Sequence, residues 1–158
     1  MLIDVSINEQ MLVLYDGDQP AQYYRVSTAL KGPGQQQNSG ATPVGRHQVR
    51  ARIGASLPSG SVLVGRRPTG EIWSPALSAQ FQQRDWILSR ILWLSGCEPG
   101  INRLGNVDSM RRFIYIHGTP DTEPMGVPRS HGCIRMRNAD VIELFDRVPV
   151  GCPVLIHE

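Results

Sequence analysis

Strict alternation at the start of the chain is the strongest constraint on its fold. Ile3, Val5 and Ile7 are apolar, while Asp4, Ser6 and Asn8 between them are polar. Successive side chains point to opposite faces only in an extended strand, so this period of two predicts a half-buried β-strand. The pattern recurs. Gln10 to Tyr15 and Gln22 to Ser27 read as further strands, with Asp16-Gly17 as a hairpin turn between them. His47, Val49, Ala51 and Ile53 alternate with polar neighbours. Ser61 to Val64, Ile72-Trp73, Phe113 to His117, Ile134 to Met136 and Val154 to Ile156 are shorter candidates. Trp86 to Leu94 fits a strand by its branched content and a helix by the length of its first half. Leu30 to Ala41 is rich in Gly, Pro, Gln, Asn and Ser and reads as a mobile loop without core residues. One helix stands out, Ala139 to Val148. Asn138 is its expected N-cap, Val141, Leu144, Phe145 and Val148 form its apolar face, and Pro149 stops it. The expected class is mainly β with one dependable helix in the C-terminal half.

At 158 residues the chain suits a single domain spanning 1–158, with no internal repeat. A formal charge of +2 and the lack of a basic cluster interleaved with aromatics argue against nucleic-acid binding. Arg66-Arg67 and Arg111-Arg112 read first as solvated strand ends, although basic residues near a site could meet substrate carboxylates. No apolar run is long enough to span a bilayer. The start Met1-Leu2-Ile3-Asp4-Val5 enters a strand at once and lacks the basic and apolar regions of a secretory signal, so the expectation is a cytoplasmic protein without membrane association. Of three cysteines, Cys152 beside Val154-Leu155-Ile156 reads as a packed thiol, and Cys97 lies in a turn-rich stretch. Free thiols are the default in a reducing compartment, though Cys97 and Cys152 could pair on count alone. His47 and His157 read as surface or strand residues.

Chemistry concentrates between Ile116 and Asn138, IHGTPDTEPMGVPRSHGCIRMRN. Cys133 follows Ser130-His131-Gly132, and His117-Gly118 lies fourteen positions before His131. A cysteine attacks as thiolate, so it needs a nearby base or positive charge. Two adjacent strands joined by a loop would bring His117 beside Cys133. Gly132 lets backbone N–H groups near Cys133 approach a developing oxyanion. His131 shares a strand face with Cys133 at i, i+2 and competes for the base role. Arg135 can fork a carboxylate or pair with an acid such as Asp140. Tyr115 shares a face with His117, as pocket lining or core. Trp73, Trp86 and Trp93 are core by default, with Trp73 placed to wall a site.

The elements H-G-T at residues 117–119 and S-H-G-C-I-R-M at 130–136 resemble the signature of the YkuD-type L,D-transpeptidases. Val26-Ser27-Thr28 and Thr42-Pro43-Val44-Gly45 resemble two weaker family elements upstream. Ala29 stands where the family often has glycine, and Arg135 where some members have asparagine. The resemblance implies a YkuD-like β-sandwich of mixed sheets. It implies Cys133 as nucleophile, and His117 as base, oriented through the Gly118 carbonyl. His131 would assist beside the substrate, with backbone around Gly132 and Gly118 at the oxyanion. Ser130, Arg135 and Tyr115 would contact substrate. No cofactor and no metal is implied. The implied partners are peptidoglycan stem peptides or soluble muropeptides, cut between diaminopimelate and D-alanine.

The thioester of such an enzyme passes to water, which is L,D-carboxypeptidation, or to an amine, which is L,D-transpeptidation. With a cytoplasmic start, water and muropeptide recycling are the expected outcome, and cross-linking or D-amino-acid exchange is the alternative. Two other classes use the same residues. Zinc held by His117, His131 and Cys133 would be hydrolytic, but the spacing matches no recurrent zinc motif. A noncatalytic wall-binding module leaves Cys133 beside His131 without a purpose.

Overall fold

The computed structural model describes all 158 residues. Ten strands and two α-helices follow one another as β1 (Leu2–Ser6), β2 (Met11–Asp16), β3 (Gln19–Arg25), β4 (Gly45–Ile53), β5 (Ser61–Val64), β6 (Arg67–Ile72), α1 (Pro75–Gln80), β7 (Ile87–Gly96), β8 (Tyr115–Thr119), β9 (Ile134–Arg137), α2 (Asn138–Arg147) and β10 (Pro153–His157). The strands form one mixed sheet in the order β3-β2-β1-β10-β4-β7-β5-β6, from which β8 and β9 branch beside β7. Two pairs are parallel, β1 with β10 and β8 with β9. The two layers expected of a sandwich are therefore halves of a continuous ladder. Ile3, Val5, Leu12 and Leu14 from one half share a core with Leu92, Ile116, Ile134 and Met136 from the other. A single sheet can enclose such a core only by curling over on itself. Helix α2 closes it with Val141, Leu144 and Phe145.

The alternation at the N-terminus becomes β1, with Ile3 and Val5 fully buried. The ambiguous segment from Trp86 is the long strand β7, which pairs with β4, β5 and β8. Between Leu88 and Ile91 its register against β8 shifts, and Ser89 there has φ 71°. This bulge bends β7 and turns the Ser89 hydroxyl inward.

Three expectations change. Helix α1 went unread, although Ser74 caps it by accepting the Leu77 N–H at 3.1 Å and Pro75 occupies its first turn. Asn138 does not cap α2. It lies inside the helix, its amide donates to the Thr119 carbonyl at 3.0 Å and its oxygen accepts the Ser89 hydroxyl at 2.5 Å. Tertiary partners win over the local cap. His47 is a strand residue of β4, one of the two alternatives the sequence left open, and it is buried, with Nε2 2.7 Å from Ser109 Oγ and Nδ1 3.0 Å from the Gly45 carbonyl. The segment from Leu30 to Ala41 does reach the interior. Ala41 is buried, and the carbonyls of Gly34, Gln35 and Ala41 all accept from Arg112.

Cys152 is packed in the core and all three cysteines are free thiols. No helix is long and apolar enough to cross a membrane.

Candidate active site

Strands β8 and β9 build the site. Their parallel register sets Ile116 against Ile134 and His117 against Arg135, which brings Cys133, just ahead of β9, level with Tyr115. Because faces alternate along a strand, Tyr115 and His117 point to the same side as Cys133 and Arg135. All four line one cavity of about 290 Å³, together with Ser130 and His131.

The cysteine is half-buried. Its sulfur accepts the Tyr115 N–H at 3.3 Å, and its S–H lies 3.3 Å from the Phe113 carbonyl, which accepts it. Burial pushes the thiol up to about 12; Asp85 adds to this, while the Tyr115 N–H and the charges of Arg135 and Arg112 pull the other way. His117 is 1% exposed, and burial lowers its pKa below 6.5 despite the Gly118 hydrogen bond and the charge of Asp85. Its Nδ1 donates to the Gly118 carbonyl at 2.6 Å, which leaves Nε2 as the basic nitrogen. At neutral pH the resting pair is a neutral thiol and a neutral imidazole.

Glycine is required at both flanking positions, for different reasons. A Cβ on Gly118 would sit 2.5 Å from the Leu88 carbonyl oxygen and 2.7 Å from Asn138 Oδ1. Gly118 thus packs β8 against β7 and α2 and holds His117 by its carbonyl, and it does not face the cavity. Gly132 has φ 133°, a conformation that favours glycine. Its N–H is bound to Ser130 Oγ at 3.2 Å, whereas the Cys133 N–H has no protein partner. The His131 N–H has no protein partner either, so the Cys133 and His131 N–H groups are the donors left for an oxyanion at this turn.

Ser130 is buried, and its hydroxyl donates to the Cys133 carbonyl at 2.5 Å while accepting from Gly132. It shapes the turn, and its hydroxyl is already spent. His131 is outside the buried centre, its side chain 77% exposed and its Nδ1 3.8 Å from Asp85. Arg135 pairs with that same Asp85 at 3.2 Å, so its acidic partner is Asp85 and not Asp140. Tyr115 is buried and its hydroxyl accepts from Arg66 at 3.0 Å. No three His, Cys, Asp or Glu side chains converge as a metal site. His117 is buried and His131 faces solvent, so the zinc arrangement has no common centre.

Asp85, Arg66, Arg112 and Phe113 also line the cavity and were missed as site residues. The two arginine pairs read from sequence as solvated strand ends, yet one member of each lines the Cys133 cavity. Trp73 packs with Val62, Trp86 and Leu88 instead of walling the site. Trp93 stands behind the cavity, its ring 6.1 Å from Phe113 and 5.8 Å from Tyr115. Gln37, Asn38 and Gly40 border a neighbouring cavity that shares Arg112, Phe113, Ile114 and His131 with the first.

A buried imidazole, a cysteine held at a glycine turn and a free N–H beside it are the groups that cysteine acyl transfer requires. The family model of the YkuD-type L,D-transpeptidase catalytic domain matches residues 1–156, and the chain belongs to that family. It is 33% identical over 94 residues to YbiS of Escherichia coli (strain K12), named as a probable L,D-transpeptidase, a match covering 58% of this chain and 29% of YbiS. A shorter stretch of 47 residues is 51% identical to the L,D-transpeptidase homologue YqjB of Bacillus subtilis (strain 168), covering 30% of this chain and 27% of that protein. Each match thus spans less than a third of the relative. Among solved structures, an L,D-transpeptidase from Mycobacterium smegmatis superposes with TM-score 0.57 at 14% identity, over 99% of this chain and 58% of that one. The Enterococcus faecium L,D-transpeptidase gives 0.59 at 17% identity, over 99% and 49%. These likenesses carry the fold.

Proposed function

We propose that the protein is a cysteine L,D-carboxypeptidase that trims peptidoglycan tetrapeptides to tripeptides. The carrying observation is the Cys133–His117 arrangement, a thiol and a buried imidazole with its Nδ1 bound to the Gly118 carbonyl, both lining one cavity. His117 Nε2 takes the thiol proton as sulfur attacks the carbonyl of the diaminopimelate–D-alanine bond. The Cys133 N–H stabilises the tetrahedral oxyanion. The C–N bond then breaks, His117 returns its proton to the departing amine, and D-alanine leaves behind a thioester on Cys133. Water, deprotonated by His117, attacks the thioester, the C–S bond breaks and the thiol regains a proton.

Charge supports water as the acceptor. Three guanidinium groups, Arg66, Arg112 and Arg135, line the cavity against the single carboxylate of Asp85. An amine acceptor arrives as ammonium and meets this repulsion, whereas water does not. The second reading is transpeptidation to an amine, and Asp85 is its supporting feature, since its carboxylate is partly exposed beside His131 at the cavity wall. The proposed substrates are soluble muropeptides of the cytoplasm in a recycling role, a setting that cell fractionation would test. Mass spectrometry of products from a soluble tetrapeptide, with and without excess D-amino acid, separates the two acceptors. Tripeptide in both tubes is expected, and an exchanged tetrapeptide or a dimer would make the enzyme a transpeptidase.

A further inference from the structure

Three arginines line the Cys133 cavity, but they are not equivalent. Arg112 is committed to the Gly34, Gln35 and Ala41 carbonyls and the Ser39 hydroxyl. Arg135 is paired with Asp85. Arg66 donates only to the Tyr115 hydroxyl, at 3.0 Å, and has no carboxylate partner. Its guanidinium is nonetheless held in place, 4.9 Å from the Trp93 ring centre and 4.9 Å from that of Phe113. The same residues that hold it also hold the nucleophile, because the Tyr115 N–H and the Phe113 carbonyl bond the Cys133 sulfur.

The backbone around Arg66 is unusual in the same direction. Gly65 and Arg66 are the two-residue turn between β5 and β6, with φ 55° and 65°. Such a turn favours glycine or asparagine at its second position. An arginine there is a poor choice for the turn alone, and non-glycine residues in this conformation cluster at functional sites. The strained turn fixes a positive fork, with unused donors, at the wall of the nucleophile's cavity.

We infer that Arg66 forms a carboxylate subsite, which reads the free α-carboxylate of the residue leaving from the scissile bond. This deepens and rests on the proposed reading of Cys133 as cutting the last peptide bond of a stem. A terminal carboxylate carbon lies within about 4 Å of the attacked carbonyl carbon, three bonds away. Arg66 lines the same cavity as Cys133, the two bonding opposite ends of Tyr115, its hydroxyl and its N–H. A guanidinium also distinguishes a carboxylate from an amide or a longer peptide by charge and by its paired donors.

The test compares D-alanine release from a tetrapeptide with a free C-terminus against release of D-alaninamide from its C-terminal amide, in wild type, R66Q and R66K. Wild type is expected to favour the free acid about tenfold or more in kcat/KM, mainly through KM. R66Q should lose that preference, its acid-to-amide ratio of kcat/KM falling toward one. R66K keeps the charge and should retain part of the preference, whereas a purely structural role would leave it no better than R66Q. Equal cleavage of acid and amide by wild type, or an unaltered preference in R66Q, overturns the assignment. If wild type cleaves neither peptide, the proposed function fails and NMR titration with N-acetyl-D-alanine and its amide decides the subsite separately. Binding of the acid that is lost in R66Q supports it, and equal binding of acid and amide sinks it.

Discussion

At Cys133 burial and hydrogen bonding act against each other, and burial wins. The thiol is pushed up to about 12 by desolvation, more than the Tyr115 N–H, Arg135 and Arg112 can offset. Simple alkylation of Cys133 at pH 8 should therefore be slow. Its thiolate fraction is smaller than that of an ordinary cysteine by roughly three orders of magnitude, and the higher nucleophilicity of a more basic sulfur recovers part of this. Iodoacetamide should react about a hundredfold more slowly with Cys133 than with free cysteine, as followed by intact mass; equal rates would mean a preformed thiolate. Substrate turnover should depend on His117 instead. Because burial lowers its pKa, the acid limb of kcat/KM should fall below pH 6.5, and His117→Gln should cost about 10²- to 10⁴-fold in kcat. Cys133→Ala should release no D-alanine. That Cys133, both histidines and Arg135 line one cavity was legible because a single stretch of sequence carries them. Asp85, Arg66 and Arg112 were not, since each comes from a different connection and only the folded sheet brings it to Cys133. Arg66 sits at a hairpin tip where sequence alone reads a solvated end.

The elements meet at one junction, which places Asn138 inside α2 and not at its cap. The bulge in β7 presents the Ser89 hydroxyl, β8 ends at the Thr119 carbonyl, and the Asn138 side chain satisfies both at the head of α2. A local rule assigns asparagine before a helix to its cap, whereas here two long-range partners outcompete it. Asn138→Ala should leave the buried Thr119 carbonyl and the Ser89 hydroxyl without their partner, at a cost of about 1–3 kcal/mol. Gly118 occupies the same junction. Gly118→Ala places a methyl group 2.5 Å from the Leu88 carbonyl oxygen, so β7 and β8 must separate. Overpacking of this kind costs about 1–3 kcal/mol. That corresponds to a fall in Tm of roughly 2–12 °C for a chain of this size. Its kcat, measured well below the new Tm, should fall too, because the Gly118 carbonyl orients His117. A stable Gly118→Ala protein with unchanged kcat would separate the junction from the site.

Across the whole molecule, two histidines are buried in the neutral form, His117 at the cavity and His47 in β4. Burial lowers the pKa of both below 6.5; at His47 it outweighs the Gly45 carbonyl and the charge of Glu98. As pH falls below 6.5 the unfolded chain protonates first while the folded chain resists, so the unfolded state binds more protons and stability declines. Each histidine contributes a slope of at most about 1.4 kcal/mol per pH unit in that window. Asp108 acts elsewhere on the scale. Burial raises its pKa, but the N–H groups of Arg111 and Leu104 outweigh that and hold it below 3.8. Its stabilisation is present above 3.8 and is lost only as pH falls further. Acid unfolding should therefore begin in the histidine window, well before the carboxylates titrate. Urea midpoints measured from pH 7.5 to 5 should fall steadily for the wild type. His47→Gln, which keeps a polar group facing Ser109 without a titrating ring, should shift the curve down at pH 7.5 yet flatten its slope. Parallel curves for the two proteins would show that His47 is protonated equally in the folded and unfolded states, against the burial that its place in β4 imposes.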